Sequence, residues 1–248
     1  MAVNWVSIVS ALPADLFDQT TLISLASTVA ILAAAYGASR LALPATASTC
    51  CRSLFIWHAF DALIHFVLEG SYLYHCFFSW MPVADLAPED YYVIQPHPFL
   101  GHGDRIYGPQ ASSQNPFAQL WMVYARADRR WAGADLGVIS LELLTVLVMG
   151  PLSCLVCYDL ARSRPRANVL MVIIATAELY GGFMTFCPEW LIGNANLNGS
   201  NFMYMWIYLV FFNTLWVFIP LYVMYVAIAD ISDAFSVREA QNQTKKLR

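Results

Sequence analysis

Charge is what this chain has least of. Only 12% of its 248 residues are Asp, Glu, Lys or Arg, about half the share of a soluble domain. Lysine occurs only at Lys245 and Lys246. The net charge is −4 and no stretch forms a basic patch, which excludes the usual footprint of a nucleic-acid partner. The N-terminus lacks the basic start and small-residue cleavage site of a secretory signal. A Gly-rich phosphate loop is missing, as is any internal repeat of the kind many transporters carry. Cys154 and Cys157 form a C-x-x-C without a second pair. A zinc site needs four ligands at matched spacing, so the six cysteines read as small packing hydrophobes.

Apolar residues, in contrast, make up 59% of the chain and come in blocks of roughly twenty, the length that crosses a bilayer as a helix. Five spans can be read, at about 21–39, 53–80, 136–158, 168–187 and 202–229. The expected fold is an all-α membrane protein of five helices around an intramembrane cavity. It divides into a lumenal segment 1–20, a membrane domain 21–230 with a long lumenal loop 82–135, and a cytosolic tail 231–248. Orientation follows the Lys and Arg bias. Arg40 and Arg52, then Arg162, Arg164 and Arg166, then the tail with Arg238, Lys245, Lys246 and Arg248 all fall on one side, taken as cytosolic. The terminal Lys-Lys-Leu-Arg fits the K-K-x-x signal that retains membrane proteins in the endoplasmic reticulum. The Asn198-Gly199-Ser200 sequon then lies in the lumen, while the one at Asn242 is cytosolic and expected to stay unused.

Within these spans lie a few ionisable or amide groups, which at membrane depth are functional candidates. Asp61, His65 and Glu69 follow one another four residues apart on one face of the second span. Glu142 is on the third, Glu178 on the fourth and Asn213 on the fifth. At about 1.5 Å per residue, Glu142 lies roughly 10 Å from the lumenal end. Glu178 and Asn213 lie about 15 Å deep, Glu69 about 18 Å and His65 about 24 Å. Four helices thus place polar groups in one slab. No Lys or Arg lies in a span interior. Several carboxyl groups without a matching cation are expected to include at least one neutral acid, and a neutral acid beside a histidine can donate a proton. The plainer alternative is interhelical hydrogen bonding, which weighs most for Asp61 and Asn213.

Other intramembrane chemistries fit poorly. All the intramembrane histidines are on one span, which excludes a bis-His haem. Glu-x-x-His pairs of di-iron bundles are missing, as is a buried Lys for retinal. Cofactor-free proton chemistry on a lipid-soluble substrate remains. Trp216, three residues from Asn213, faces the same slab, and its indole face could stabilise a cation; packing is the alternative for it and for the other aromatics of the fifth span.

These residues resemble the emopamil-binding protein family, the sterol Δ8–Δ7 isomerases of the EXPERA superfamily. The resemblance rests on Ile64 to Gly70; on Gln119-Leu120-Trp121 with Tyr124 and Asp128; on Asp135 through Glu142 and Thr145 to Gly150-Pro151-Leu152-Ser153; and on Tyr208 with Asn213-Thr214-Leu215-Trp216. It covers about 53–230. It implies that His65 and Glu69 supply a proton to an alkene and that Glu142 removes one from the neighbouring carbon. Asn213 and Trp216 would steady the cation. Asp61, Trp121, Tyr124, Thr145, Glu178 and Tyr208 would contact substrate. It further implies a sterol or other apolar terpenoid as substrate, carbocation-like cationic amines as inhibitors and no cofactor, and it leaves a homodimer open. Asp61 replaces a small uncharged residue of the animal isomerases. Glu178 and Gly182 replace Gln and Asp of a Gln-x-Tyr-Gly-Asp pattern, and the lumenal loop is longer. These departures leave open a protonation-initiated cyclase of prenylated aromatic substrates, and also a non-enzymatic ligand-binding member.

Overall fold

A computed structural model describes residues 19–85, 98–112 and 114–246. The first 18 residues of the expected lumenal segment, His97 with the rest of 86–97, and the last two residues of the K-K-x-x end lie outside it.

Five helices are long and apolar enough to cross a membrane. They are α1 (Gln19–Ala42), α2 (Thr49–Phe78), α4 (Leu136–Ala161), α5 (Arg166–Leu191) and α6 (Met203–Lys246). A shorter α3 (Pro116–Tyr124) lies between α2 and α4. Each expected span falls on one of the long helices. Local chemistry sets several ends. Ser48 Oγ accepts from Cys51 N to start α2, and Asp135 Oδ1 accepts from Val138 N to start α4, each capping an otherwise orphaned donor. Asn115 caps α3 ahead of Pro116 at its first position. Past α5, Asn194 and Gly193 adopt positive φ, and Asn194 N returns to Glu189 O at 2.7 Å. That closes the helix as C-terminal caps do.

The long helices pack in the order α1, α2, α4, α5, α6. Their outward faces carry large apolar side chains such as Leu147, Phe218 and Tyr225, as a surface in contact with lipid should. Inward lies a core that includes Trp57, Phe60, Tyr72, Met171 and Ile174. The fifth helix departs from expectation. It runs unbroken from Met203 to Lys246, 44 residues or about 66 Å, roughly twice the hydrocarbon thickness. From 231 to 246 the expected tail continues the same helix, with Asp233, Arg238 and Glu239 among its residues.

The described parts of the long 82–135 connection form short elements that pack on the helices, and together they are called the lid. Trp80–Pro82 (β1) pairs antiparallel with Arg105–Tyr107 (β2), and the strand runs on into Gly108 at φ 112°. A Cβ there would lie 2.7 Å from Gly133 Cα, so the strand end and the approach to α4 touch backbone to backbone. Arg130 anchors the lid to α5. Its Nε and Nη2 donate to the two Asp128 carboxylate oxygens at 2.9 and 2.6 Å. Nη1 donates to Thr185 O at 2.8 Å and lies 3.5 Å from Glu189 Oε1. Burial pushes the Asp128 carboxyl above its ordinary value despite the guanidinium beside it. Against the cost of its own burial, Arg130 is held above its usual value by Asp128.

Candidate active site

Three of the helices around the site are not α-helical where they meet it. Ile64–Glu69 in α2, Thr145–Met149 in α4 and Met203–Phe211 in α6 are wound as π-helix, a form often found at functional sites. Each is followed by a return to the α-helix. In α6 the Asn213 side chain bonds back to the π segment: Nδ2 donates to Tyr208 O at 2.9 Å and Leu209 O at 3.0 Å. Both neighbours being carbonyls, the nitrogen end of the amide must face them. In α4 the turn ends at Gly150, where a Cβ would lie 3.0 Å from the Phe66 ring and 3.4 Å from His65 Cβ. The absence of that Cβ brings the π segments of α2 and α4 together.

Between the helices and the lid lies a cavity of about 900 Å³. Ten of the eleven residues singled out in the sequence line it: His65, Glu69, Trp121, Tyr124, Glu142, Thr145, Glu178, Tyr208, Asn213 and Trp216. Asp61 is the exception. It is fully buried behind His65 and contributes nothing to the wall.

The polar groups form a connected run. His65 Nδ1 is 2.5 Å from Glu69 Oε2. Thr145 Oγ1 is 2.9 Å from the same Glu69 oxygen and 3.1 Å from Glu142 Oε2. It is also 3.0 Å from the Glu142 carbonyl. A hydroxyl has one hydrogen to give, so Thr145 cannot donate to both carboxylates at once. A proton on Glu142 donating to Thr145 Oγ1, with Thr145 donating to Glu69, satisfies both carboxyl contacts. The Thr145 hydroxyl thus bridges carboxyl groups on two helices.

Behind this run, Asp61 Oδ1 accepts from Trp216 Nε1 at 3.0 Å and Oδ2 from Ser153 Oγ at 2.9 Å. His65 Nε2 is 3.1 Å from Oδ1, close enough for charge attraction but off the hydrogen-bonding direction. The Asp61 carboxylate thus joins α2, α4 and α6 at one point. It holds the Trp216 indole edge-on, with Trp57 and Phe60 packed at 5.5 and 6.1 Å, so that the ring is fixed where it meets the cavity.

The lid supplies an aromatic cover. Trp121 stacks on Trp131 at 4.8 Å and 7°, and its Nε1 donates to Ser71 Oγ at 2.9 Å. Tyr124 sits edge-on to Trp131 and Tyr208, and its hydroxyl accepts from Asn213 Nδ2 at 3.2 Å. Burial pushes the Tyr124 phenol well above its ordinary range, which keeps it a neutral hydroxyl. Trp131, Ser153 and the Arg130–Glu189 contact were not assigned from the sequence. Ser153 sits inside a block that the resemblance rests on, and that was the available signal. Trp131 carried none beyond its type. His58, by contrast, is buried with Nδ1 at 2.7 Å from Leu54 O and takes no part in the cavity.

Residues 116–227 match the EXPERA family (EXPanded EBP superfamily). Over 170 residues the chain is 28% identical to isomeliandiol synthase of Melia azedarach, covering 68% of this chain and 74% of that one. It is 30% identical over 164 residues to the 3-beta-hydroxysteroid-Delta(8),Delta(7)-isomerase of Cavia porcellus, covering 66% of this chain and 58% of that one. A probable isomerase of the same name in Arabidopsis thaliana is 27% identical over 196 residues, 77% of this chain and 72% of the relative. The lid, the hydrogen-bonded run and the Trp216 wall thus stand in a chain that is similar to the EXPERA family over 116–227 and to these relatives over roughly two thirds of its length.

Proposed function

We propose that the protein is a membrane-embedded sterol Δ8–Δ7 isomerase. The observation that carries this is the hydrogen-bonded run His65–Glu69–Thr145–Glu142 opening on an otherwise largely apolar cavity. In the proposed reaction the alkene π electrons take a proton supplied through His65 and Glu69, forming one C–H bond and leaving a cation on the other alkene carbon. Glu142, or the pair it forms with Glu69, removes a proton from the next carbon, and those electrons become the new double bond. One proton enters and one leaves, so no oxidant or reductant is needed. The Trp216 face stabilises the cation. Asn213 has its N–H groups engaged, so its carbonyl oxygen is the end that can face positive charge.

Asp61 and Glu178, together with a relative named isomeliandiol synthase, favour a second reading. A cyclase would share the protonation step and then let an internal double bond attack the cation. Expression in cells lacking Δ8–Δ7 isomerase, with sterol profiling in deuterated water, separates the two. Deuterium-labelled Δ7 product is expected; a well-expressed protein that yields none removes the isomerase. We place the protein in the endoplasmic reticulum membrane, as suits a sterol-modifying enzyme, with its N-terminus lumenal on the Arg and Lys bias. Glycosylation at Asn242 and not Asn198 would reverse that orientation. Cationic amines resembling the carbocation should inhibit.

A further inference from the structure

The proton run uses one side of the cavity. Facing the cavity from α5 is another acid, Glu178, which is 9% exposed. The remaining carboxyl groups of the site have internal hydrogen-bond partners: Glu69 and Glu142 meet Thr145, and Asp61 has Trp216 and Ser153. Glu178 Oε1 is buried and has no hydrogen-bond partner among the described residues, while the carboxyl group as a whole lies against that of Asp61. An unsatisfied buried polar oxygen is costly, and the cost vanishes when a bound molecule brings a donor. Trp131 Nε1, the cavity-lining indole nitrogen that is likewise unpartnered, is a donor only and cannot serve the same role.

Room for such a molecule is built in beside the acid. Gly181 and Gly182 are three and four residues on and share its face. Both line the cavity, and a Cβ added at either would meet nothing within 4 Å. One turn of α5 is therefore a bare backbone shelf with a carboxyl at its edge, and Phe183 and Phe186 continue it as apolar wall. A flat hydrocarbon ring fits on the shelf, and a hydroxyl on that ring reaches the acid.

We propose that Glu178 with Gly181 and Gly182 forms a substrate-orienting subsite for a hydroxyl-bearing ring, the hydroxyl donating to Glu178 Oε1. The subsite deepens the reading of the cavity as a site for sterol-like substrates and rests on it. It makes Glu178 a determinant of specificity, distinct from the groups that move the proton.

The test is equilibrium binding to the purified full-length protein in lipid nanodiscs. The probes are a Δ8 sterol with its free hydroxyl, the same hydrocarbon without it, and an equivalent pair built on a prenylated phenol. In at least one pair the hydroxylated member should bind tenfold or more tighter, since a hydrogen bond to a buried acid is worth at least that ratio. E178Q, whose amide oxygen still accepts, should keep most of the preference. E178L should abolish it by weakening the hydroxylated probe alone, and G182L should weaken both members of the pair. No preference in the wild type, a preference that survives E178L, or failure of every hydroxylated probe to bind overturns the subsite. Turnover read in parallel keeps the two ideas apart. Glu178-dependent binding of the sterol without isomerisation sinks the isomerase and leaves the subsite standing; isomerisation with no Glu178-dependent preference does the reverse.

Discussion

Replacing Asp61 with Asn tests whether a residue that never touches the cavity governs what happens in it. The substitution keeps shape. The Asn oxygen can take the place of Oδ1 and accept from Trp216 Nε1, and its amide can turn toward Ser153, whose hydroxyl is able to accept as well as donate. Packing and hydrogen-bond count therefore survive. What goes is the negative charge 3.1 Å from His65 Nε2. A hydrogen bond or contact to a charged group contributes about 1.5–3 kcal/mol, against about 1 for a neutral one, so the protonated form of His65 that supplies the proton loses about 1–2 kcal/mol. On the alkaline side of the pH profile the fraction of enzyme carrying that proton, and with it kcat, should fall by roughly 5- to 30-fold, with little change in KM because substrate does not meet Asp61. Asp61→Leu is the contrasting case. It strands the Trp216 and Ser153 donors, at about 1–3 kcal/mol each, and should lower the thermal unfolding midpoint as well as activity. Turnover of a Δ8 sterol in nanodiscs, measured across pH with unfolding followed in parallel, separates charge from packing. An Asp61→Asn protein with wild-type kcat and an unshifted pH profile would refute the view that Asp61 acts through His65.

Thr145→Val removes the hydroxyl between Glu69 and Glu142 while nearly preserving volume, and kcat should drop about 10- to 100-fold, the loss of one charge-assisted hydrogen bond, with Thr145→Ser restoring most of it. Arg130→Met leaves Asp128 and Glu189 buried without their cation, a loss of about 3–5 kcal/mol; limited proteolysis should then cut within the lid, and an uncut lid would show that the anchor is dispensable. Gly150→Ala drives a methyl into the Phe66 ring at 3.0 Å and should cost about 1–3 kcal/mol. Adding Phe66→Leu should recover part of that, and strict additivity in the double mutant would deny the contact.

Much of this was legible in the sequence because bilayers impose simple rules. Apolar blocks of fixed length mark helices, and a buried acid stands out against them, which is why Glu142, Glu178 and Asn213 could be placed in one layer by counting. Asp61 shows the limit. Its position on the His65 face was readable, yet spacing alone does not say whether a residue in front of or behind an imidazole is the one exposed, and it lies behind. The π turns at Ile64–Glu69, Thr145–Met149 and Met203–Phe211 left no compositional trace, since they are settled by helix–helix contact. The lid anchor was hidden for another reason. Arg130 is one of four arginines in a stretch of mixed charge, and nothing local distinguishes the one that reaches Glu189 across 59 residues of chain.

The π turns also make the site depend on counting. Such a turn holds about one residue more than its α-helical equivalent, so if Thr145–Met149 wound as plain α-helix with all its residues kept, everything before it would turn by about 100° relative to everything after. Glu142 would swing off the cavity while Ser153 stayed on Asp61. Every side chain needed for the reaction would still be present and apolar blocks would still span the bilayer. A relative one residue shorter there would keep the phase with a plain α-helix, whereas one of equal length that lost the turn would be out of phase, a frameshift in space rather than in code.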